Sequence, residues 1–300
     1  MSTPARITLC PKGPEISRLV QGYWRLSEWR MSDQELLTFV KQHVELGITT
    51  VDHAAIYGPP PCEALFGKAL ALQPSLRDEL EIVSKFGIVP GDNHKVWHYD
   101  ARPHKIVESV DQSLARLGVE YLDILLVHRP DYLLNADEVA ECFEQLKQAG
   151  KVKHFGVSNF TKAQFELLQS RLNFPLVTNQ VELNPLNLPL LESGDLEFLQ
   201  QHHITPMAWS CLAGGRIFHE QSEQINRLRT CLQQVANETG AGSIDEVVYA
   251  WVAKLPAKPA LIVGSGNIGR VRAAVSALEL ELGQEQWYRI WEASQGHKVK

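Results

Sequence analysis

Residues 122–158 read LDILLVHRPDYLLNADEVAECFEQLKQAGKVKHFGVS, and their pattern indicates the fold class. The stretch opens with an apolar run rich in branched residues, Leu122–His128, which predicts a buried strand. Ala136–Ala149 then has helical periodicity, and Gly150 follows it as a residue that ends helices. A second apolar run, His154–Ser158, predicts another strand. Two strands joined through a helix are typical of a parallel sheet.

The same alternation of strand and helix continues along the chain. Asp33–Leu46 is the clearest helix, because apolar residues recur every three or four positions and Ser32 and Glu35 form a capping box at its start. Pro103–Leu117 and Asn267–Leu278 predict further helices. An open doubly wound sheet and a closed barrel both fit this alternation. The eight predicted strands are Arg18–Tyr23, Thr49–His53, Glu81–Lys85, Leu122–His128, His154–Ser158, Leu176–Glu182, Pro206–Ser210 and Ala260–Gly264.

Polar residues at the ends of the predicted strands favour the closed barrel. Asp52, Lys85 and His128 stand at three such ends, and barrel enzymes carry their chemistry at the C-terminal ends of the strands. We therefore predict an α/β fold, a (β/α)8 TIM barrel that forms one domain over residues 1–300. Two additions are predicted: an N-terminal β-hairpin (Ile7–Leu9 with Ile16–Leu19) that caps the barrel bottom, and an extra helix (Gln224–Thr239) after strand 7.

Composition and charge exclude several classes of function. The chain has a net charge of -6 and no cluster of Lys and Arg, which argues against nucleic acid or a membrane surface as a partner. No run of about 18 apolar residues predicts a membrane span, and the start of the chain lacks the apolar segment of a secretory signal. The five cysteines are widely spaced and suit a reducing compartment. We expect a cytoplasmic protein with no obligate protein partner and no metal, since His94 and His98 lack a third ligand at usable spacing.

Four side chains with complementary chemistry are predicted to converge at neighbouring strand ends. Asp52 and Tyr57 lie at the end of the second strand and in the loop after it, Lys85 ends the third strand, and His128 ends the fourth. A buried ammonium group must be paired, and Asp52 on the adjacent strand is the available partner. The plain alternative is an ordinary buried Asp–Lys ion pair to which the Tyr and the His are unrelated.

These four residues have the chemistry to reduce a carbonyl group. A phenol with a pKa of about 10 is a weak acid near neutrality, and a cation within about 4–6 Å lowers that pKa. Tyr57 would then protonate the carbonyl oxygen while hydride reaches the carbon. Asp52 would keep Lys85 charged, and His128 would hydrogen-bond the carbonyl. An unrelated barrel lyase that forms a Schiff base on Lys85 is a second interpretation of the same strand ends.

Four motifs resemble the signature of the aldo-keto reductase family. They are Gly47–Gly58 (GITTVDHAAIYG), Ser84–Gly87 (SKFG), Val127–Pro130 (VHRP) and Phe155–Phe160 (FGVSNF), and they follow the family's order over nearly the whole chain. Gly22–Arg25 (GYWR) is similar to a subgroup of bacterial NADPH-dependent oxidoreductases. The resemblance implies a (β/α)8 barrel and assigns Asp52, Tyr57, Lys85 and His128 to the family's catalytic tetrad.

The resemblance also implies a site for a nicotinamide cofactor, with NADPH preferred to NADH. Gly264 stands where many members of the family carry Lys, so one cation for the adenosine 2′-phosphate is missing. Gly264–Gly269 (GSGNIG) also matches a G-x-G-x-x-G pattern, but it follows the last strand and not the first, which disfavours a dinucleotide-binding fold. The implied contacts are Ser158, Asn159 and Gln180 to the carboxamide, Trp209 to the nicotinamide ring, Ser210 and Leu212 to the pyrophosphate, and Ser265 and Arg270 to the 2′-phosphate.

The main hypothesis is therefore a reductase of aldehydes or ketones that uses NADPH and can also run as an alcohol dehydrogenase. Its substrate pocket is predicted to include Tyr23, Trp24 and Trp97. Two alternatives stay open at this point. One is a regulatory or binding subunit of the same fold that holds the cofactor without turning over substrate, and the other is the lyase that uses Lys85.

Overall fold

Eight parallel strands close into a barrel, and helices pack around it. The computed structural model describes residues 4–299, and the barrel strands follow one another around the sheet in chain order. The last strand pairs with the first through Leu261↔Leu19 and Val263↔Gln21, which leaves the sheet without an edge. The predicted (β/α)8 barrel is confirmed, and the open sheet is excluded.

The elements of the described residues have the following bounds. The strands are β1 (Arg6–Thr8), β2 (Glu15–Ser17), β3 (Leu19–Gly22), β4 (Thr50–Asp52), β5 (Glu81–Phe86), β6 (Ile88–Val89), β7 (His98–Tyr99), β8 (Leu122–Val127), β9 (Val152–Ser158), β10 (Leu176–Glu182), β11 (Met207–Trp209) and β12 (Ala260–Val263). The barrel consists of β3, β4, β5, β8, β9, β10, β11 and β12. The α-helices are α1 (Leu26–Trp29), α2 (Asp33–Glu45), α3 (Cys62–Ala71), α4 (Pro103–Leu117), α5 (Ala136–Gln148), α6 (Lys162–Gln169), α7 (Pro189–Glu192), α8 (Asp195–Gln201), α9 (Arg216–His219), α10 (Glu223–Thr239), α11 (Ile244–Ala253), α12 (Ile268–Ala277) and α13 (Gln284–Gln295). Two short 3₁₀ helices cover Pro74–Glu79 and Ala213–Gly215.

Local sequence signals explain where the well-predicted helices begin and end. The predicted capping box of α2 is present, with Ser32 and Glu35 bonded to each other's backbone N–H groups. Helix α4 has the predicted bounds, because Pro103 suits its first turn and Gly118 adopts a left-handed φ of 67° just after its end. The extra helix after the seventh barrel strand is α10, which begins one residue earlier than predicted.

The N-terminal hairpin β1–β2 covers the bottom of the barrel. The guanidinium of Arg6 bonds Thr49, just before β4, and Glu81, the first residue of β5. The backbone N–H of Thr205, just before β11, donates to the carbonyl of Leu9. The starts of barrel strands form the face opposite the chemistry, so the predicted cap is confirmed.

Several strand ends differ from the prediction by one or two residues. His128, Ser210 and Gly264 follow the last residues of their strands, and β9 begins at Val152, two residues before the predicted start. Ser210 shows the physical reason, because its φ of 56° is incompatible with an extended strand. The loop after β5 also contains a small antiparallel hairpin, β6–β7, which the sequence did not predict.

The core occupies the barrel interior and the layer between the strands and the helices. Branched residues of the barrel strands are almost completely buried, as are the large aromatic side chains Trp251 and Phe155. In residues 4–299 no helix is long and apolar enough to cross a membrane. The same residues contain no cluster of three His, Cys, Asp or Glu side chains that could hold a metal ion.

Candidate active site

A buried lysine organises the polar centre of the barrel. The side chain of Lys85, on β5, has no exposed surface, and its ammonium group makes three hydrogen bonds. These go to Asp52 Oδ2 at 2.7 Å, to the carbonyl of His53 at 2.7 Å and to Tyr57 Oη at 3.0 Å. All three N–H donors of the ammonium are therefore used within the protein.

The carboxylate of Asp52 is held from two sides. Its Oδ2 accepts from Lys85, and its Oδ1 accepts from Gln180 Nε2 at 2.8 Å. Gln180 lies on β10, which is four strands away from β4 around the eight-stranded barrel and therefore opposite it. The bond between Asp52 and Gln180 consequently spans the barrel interior. The amide of Gln180 was expected to face a cofactor, and its NH2 group instead binds Asp52.

Charge compensation keeps Lys85 protonated. Burial opposes the charge, but the neighbouring Asp52 carboxylate and the Tyr57 hydroxyl outweigh it and raise the pKa of Lys85 above its ordinary value. An ammonium that is fully bonded and stabilised in this way is a poor nucleophile, since Schiff-base formation requires the neutral amine.

Tyr57 differs from the sequence prediction in one respect. Burial raises the pKa of its phenol above the ordinary value, whereas Lys85 and, more weakly, Arg129 lower it. The expectation of a net lowering was wrong, because burial of the phenol outweighs the nearby ammonium charge. The proton therefore stays on Tyr57 through the neutral pH range, and the ammonium group lies within hydrogen-bond distance of the phenolate that its loss would create.

Two imidazoles next to this centre are neutral. His128 follows β8 and meets the ring of Tyr57 edge to face, with 5.8 Å between ring centroids. Burial, then the charges of Lys85 and Arg129, lowers the pKa of His128 well below its ordinary value. The fully buried His53 has a pKa of about 3, owing to burial and to Lys85. Among the described residues, His128 Nδ1 has no hydrogen-bond partner.

Ser158, Asn159 and Trp209 form a second cluster at the ends of β9 and β11. The amide of Asn159 donates to Ser158 Oγ at 2.8 Å and accepts from Trp209 Nε1 at 3.1 Å. Ser158 Oγ in turn donates to the carbonyl of Gln180. Asn159 has a left-handed φ of 60° and does not cap the following helix, since Thr161 is the N-cap of α6. The cluster presents one indole ring with amide and hydroxyl groups at its edge.

The loops after β11 and β12 hold the other predicted contacts. Ser210 and Leu212 lead into the 3₁₀ turn at Ala213–Gly215, and Asn184 Nδ2 donates to the carbonyl of Ser210 at 3.0 Å. Their predicted contact with the pyrophosphate stays a prediction.

Ser265 and Arg270 lie on one exposed segment that leads into α12. The Oγ of Ser265 accepts from the backbone of Asn267, whose own side chain caps α12 by accepting from Gly269 and Arg270. A Cβ atom built on Gly264 would meet nothing within 4 Å, so the segment is open at the position where the family often has Lys.

The structure places the three predicted pocket residues, Tyr23, Trp24 and Trp97, in different surroundings. Tyr23 is completely buried: its hydroxyl bonds His43 Nε2 at 2.8 Å, and its ring stacks on His53 at 4.9 Å. Its assignment to the pocket was therefore wrong, because both its ring and its hydroxyl are used inside the protein. Trp24 and Trp97 are 57% and 67% exposed.

A cavity of about 390 Å3 opens beside the tetrad. It is lined by Tyr57, Lys85 and His128 together with the loop after β5 and polar residues of α4. Neither Trp24 nor Trp97 is among the residues that line it.

Sequence reasoning missed two features of the site. One is the bond from Gln180 to Asp52, for which the sequence carries no signal, since it depends on which strands face each other across the closed barrel. The other is Arg129, whose guanidinium carbon lies 5.3 Å from the centroid of the Trp209 ring. The sequence could have indicated Arg129 as a site residue, because it directly follows His128 in the VHRP motif.

Comparison with known proteins agrees with this geometry. Residues 18–295 match the model of the aldo/keto reductase family. The chain is 54% identical to oxidoreductase YdhF of Escherichia coli K12 over 98% of this chain and 99% of the relative. It is 38% identical to a 6-dehydroglucose reductase of Agrobacterium fabrum over 98% of this chain and 99% of the relative.

A solved structure supports the same assignment at the level of the fold. The thermostable aldo-keto reductase Tm1743, solved in complex with the inhibitor epalrestat, has a TM-score of 0.80 and 27% identity, and the match covers 96% of this chain and 99% of that one. The barrel, the placement of Asp52, Tyr57, Lys85 and His128, and these relatives lead to one conclusion. The chain is an NAD(P)H-dependent oxidoreductase that belongs to the aldo/keto reductase family.

Proposed function

We propose that this oxidoreductase reduces an aldehyde or a ketone with NADPH and that Tyr57 is the proton donor. The observation that carries the proposal is the bonded series from Gln180 through Asp52 and Lys85 to Tyr57 Oη, with His128 beside it. Tyr57 and His128 are both among the residues that line the cavity next to the tetrad, where we place the carbonyl group.

The proposed reaction has a simple balance of atoms. A nicotinamide cofactor, when bound, would supply the hydride that the carbonyl carbon accepts. Tyr57 transfers its proton to the carbonyl oxygen, so that an alcohol forms and a phenolate remains. Lys85, 3.0 Å from Oη, stabilises that phenolate until it takes a proton from solvent. His128, being neutral, orients the carbonyl through a hydrogen bond.

The residues at the strand ends fit a nicotinamide. Trp209 offers a flat ring, and the neighbouring Asn159 and Ser158 offer amide and hydroxyl groups that suit a carboxamide. Gln180 uses its NH2 group on Asp52, so we assign it a contact through its carbonyl oxygen only.

The phosphates of the cofactor are assigned to the loops after β11 and β12. We propose that Ser210 and Leu212 hold the pyrophosphate and that Ser265 and Arg270 hold the adenosine 2′-phosphate. Arg270 is exposed in the first turn of α12, where the backbone dipole also favours an anion. We therefore propose NADPH as the preferred cofactor.

The name of a relative supports a substrate class. A relative named 6-dehydroglucose reductase supports a carbonyl carried on a small, polar carbon skeleton.

We also propose that residues 1–300 form one domain, because the sheet closes only when the last barrel strand pairs with the first.

The test is the substitution Tyr57→Phe, with turnover followed by the loss of NADPH absorbance on a panel of aldehydes and ketones. A general acid contributes about 10²–10⁴-fold in rate, so turnover should fall by that factor while NADPH binding stays within about twofold. Tyr132→Phe is the matched control, since Tyr132 is 86% exposed and outside the tetrad. A Tyr57→Phe protein that keeps more than about a tenth of the turnover would disprove the assignment.

The carbonyl panel and a borohydride trapping experiment together separate the alternatives. A cofactor-holding regulatory subunit would bind NADPH but turn over no carbonyl in the panel. The lyase would be trapped on Lys85 by borohydride, a result made unfavourable by the three hydrogen bonds and the raised pKa of that ammonium.

A further inference from the structure

Arg129 is a cation at the mouth of the site that the proposed mechanism does not use. It directly follows His128, at the C-terminal end of β8, and it is half-buried. Its guanidinium lies 5.3 Å from the ring centroid of Trp209, at the end of β11. β8 and β11 are three strands apart around the barrel, so the Arg129 side chain reaches past the ends of β9 and β10 to Trp209.

The other cations near the tetrad are already engaged. The ammonium group of Lys85 donates its three hydrogen bonds to Asp52, His53 and Tyr57. Arg116, which lines the cavity beside the tetrad, bonds the carbonyl of Ala55 and the buried carboxylate of Glu63.

Arg129 has no such partner. In residues 4–299 no Asp or Glu forms an ion pair with it, and the nearest carboxylate along the chain, Asp131, accepts hydrogen bonds from the backbone of Ala101 and Leu133. Five N–H donors of a half-buried guanidinium are thus left for a ligand.

The position of Arg129 couples it to the reacting groups. Its positive charge lowers the pKa of both Tyr57 and His128, although burial is the larger influence on each. Arg129 directly follows His128, whose ring contacts that of Tyr57, so a group bound by Arg129 would lie near a carbonyl held by those two residues. The planar guanidinium pairs with carboxylates and phosphates through two parallel bonds, a geometry that a neutral group cannot match.

We propose that Arg129 binds an anionic group of the substrate, a carboxylate or a phosphate on the same short molecule as the carbonyl. This proposal rests on the proposed carbonyl reduction and names its substrate class. The cation–π contact with Trp209, 5.3 Å from the guanidinium carbon to the ring centroid, reduces the freedom that the Arg129 side chain loses when the anion binds.

The experiment compares carbonyl compounds that differ only in the anion. The carboxylate pair is 4-carboxybenzaldehyde with its methyl ester, and the phosphate pair is glyceraldehyde with glyceraldehyde 3-phosphate. We expect kcat/KM of the wild type to favour the anionic member of at least one pair by about tenfold or more, and the pair that shows this identifies the anion. In Arg129→Met this preference should fall to within about twofold, mainly through KM.

Two further variants show whether the effect belongs to this guanidinium. Arg129→Lys keeps the charge but loses the two-bond geometry, so it should retain a part of the preference. Arg171→Met removes a surface arginine paired with Asp137 and should leave both members of each pair unchanged.

The possible failures are distinguishable. If the wild type reduces no member of either pair, nor any other carbonyl, the proposed function itself fails. If the wild type reduces the neutral members as well as the anionic ones, or Arg129→Met lowers both members equally, the anion assignment is overturned. A loss of NADPH affinity in Arg129→Met, measured by calorimetric titration without substrate, would also overturn it by assigning the guanidinium to the cofactor.

Discussion

Replacing Lys85 by Met should destabilise the protein and remove its activity together. The substitution keeps the length of the side chain but removes the ammonium group that now bonds Asp52, His53 and Tyr57. Asp52, which is 3% exposed, would keep only the hydrogen bond from Gln180. A carboxylate would thus be left buried without a counter-charge.

The size of the effect follows from that uncompensated charge. Removing one partner of a buried ion pair costs about 3–5 kcal/mol, against a total stability of about 5–15 kcal/mol for a typical domain. The carbonyl of His53 also loses its donor, which adds to the loss. We therefore expect the free energy of unfolding to fall by about 3–5 kcal/mol, with turnover reduced at least as much as in Tyr57→Phe.

A double substitution tells charge burial apart from a simple packing defect. Lys85→Met combined with Asp52→Asn removes both charges, so most of the lost stability should return while the activity stays low. The measurement is urea unfolding followed by circular dichroism, with NADPH oxidation assayed on the same samples. The reasoning is refuted if Lys85→Met lies within about 1 kcal/mol of the wild type, or if the double variant is as unstable as the single one.

Two further predictions concern the cofactor and the dependence of stability on pH. Arg270→Met should weaken NADPH binding by about ten- to a hundredfold and NADH binding much less, since only NADPH carries the 2′-phosphate; equal losses in calorimetric titrations would show that Arg270 stabilises the loop instead. Burial lowers the pKa of His43 to about 4, below the pKa of about 6.5 that an unfolded His has. The stability contributed by neutral His43 is therefore complete above pH 6.5 and is lost as the pH falls toward 4, a change of about 3 kcal/mol. In urea unfolding, the wild type should lose more stability than His43→Leu between pH 7 and pH 4, and parallel curves would contradict this.

The fold was predictable because its signals are local. A run of apolar branched residues predicts each strand, and caps such as Ser32 with Glu35 and the left-handed Gly118 define helix ends within a residue. The convergence of Asp52, Lys85 and His128 was also predictable, since neighbouring parallel strands end at the same face of the barrel. Strand ends were less certain because they depend on single backbone angles, as at Ser210.

The features that failed depend on contacts between distant elements. Tyr23 follows a strand end and resembles a pocket residue, yet its hydroxyl forms a hydrogen bond with His43 on α2 and its ring stacks on His53. The cofactor contact expected of Gln180 stays a prediction, but the bond from its NH2 group to Asp52 on the opposite strand was not foreseen. The sign of the pKa shift of Tyr57 needs the balance between burial and the charge of Lys85, and composition and spacing cannot supply that balance.

The charges around the tetrad support Tyr57 and not His128 as the proposed proton donor. An acid must hold its proton before the reaction, and the imidazolium of His128 is rare at neutral pH because burial lowers the pKa of the ring well below its ordinary value. Tyr57 always holds its proton there, because burial raises the pKa of the phenol. Losing that proton is difficult without help, and Lys85, whose own charge is secured by Asp52, stands 3.0 Å from the oxygen that becomes negative. Burial therefore keeps the proton on Tyr57 until a carbonyl accepts it, and the ammonium group then stabilises the anion that remains.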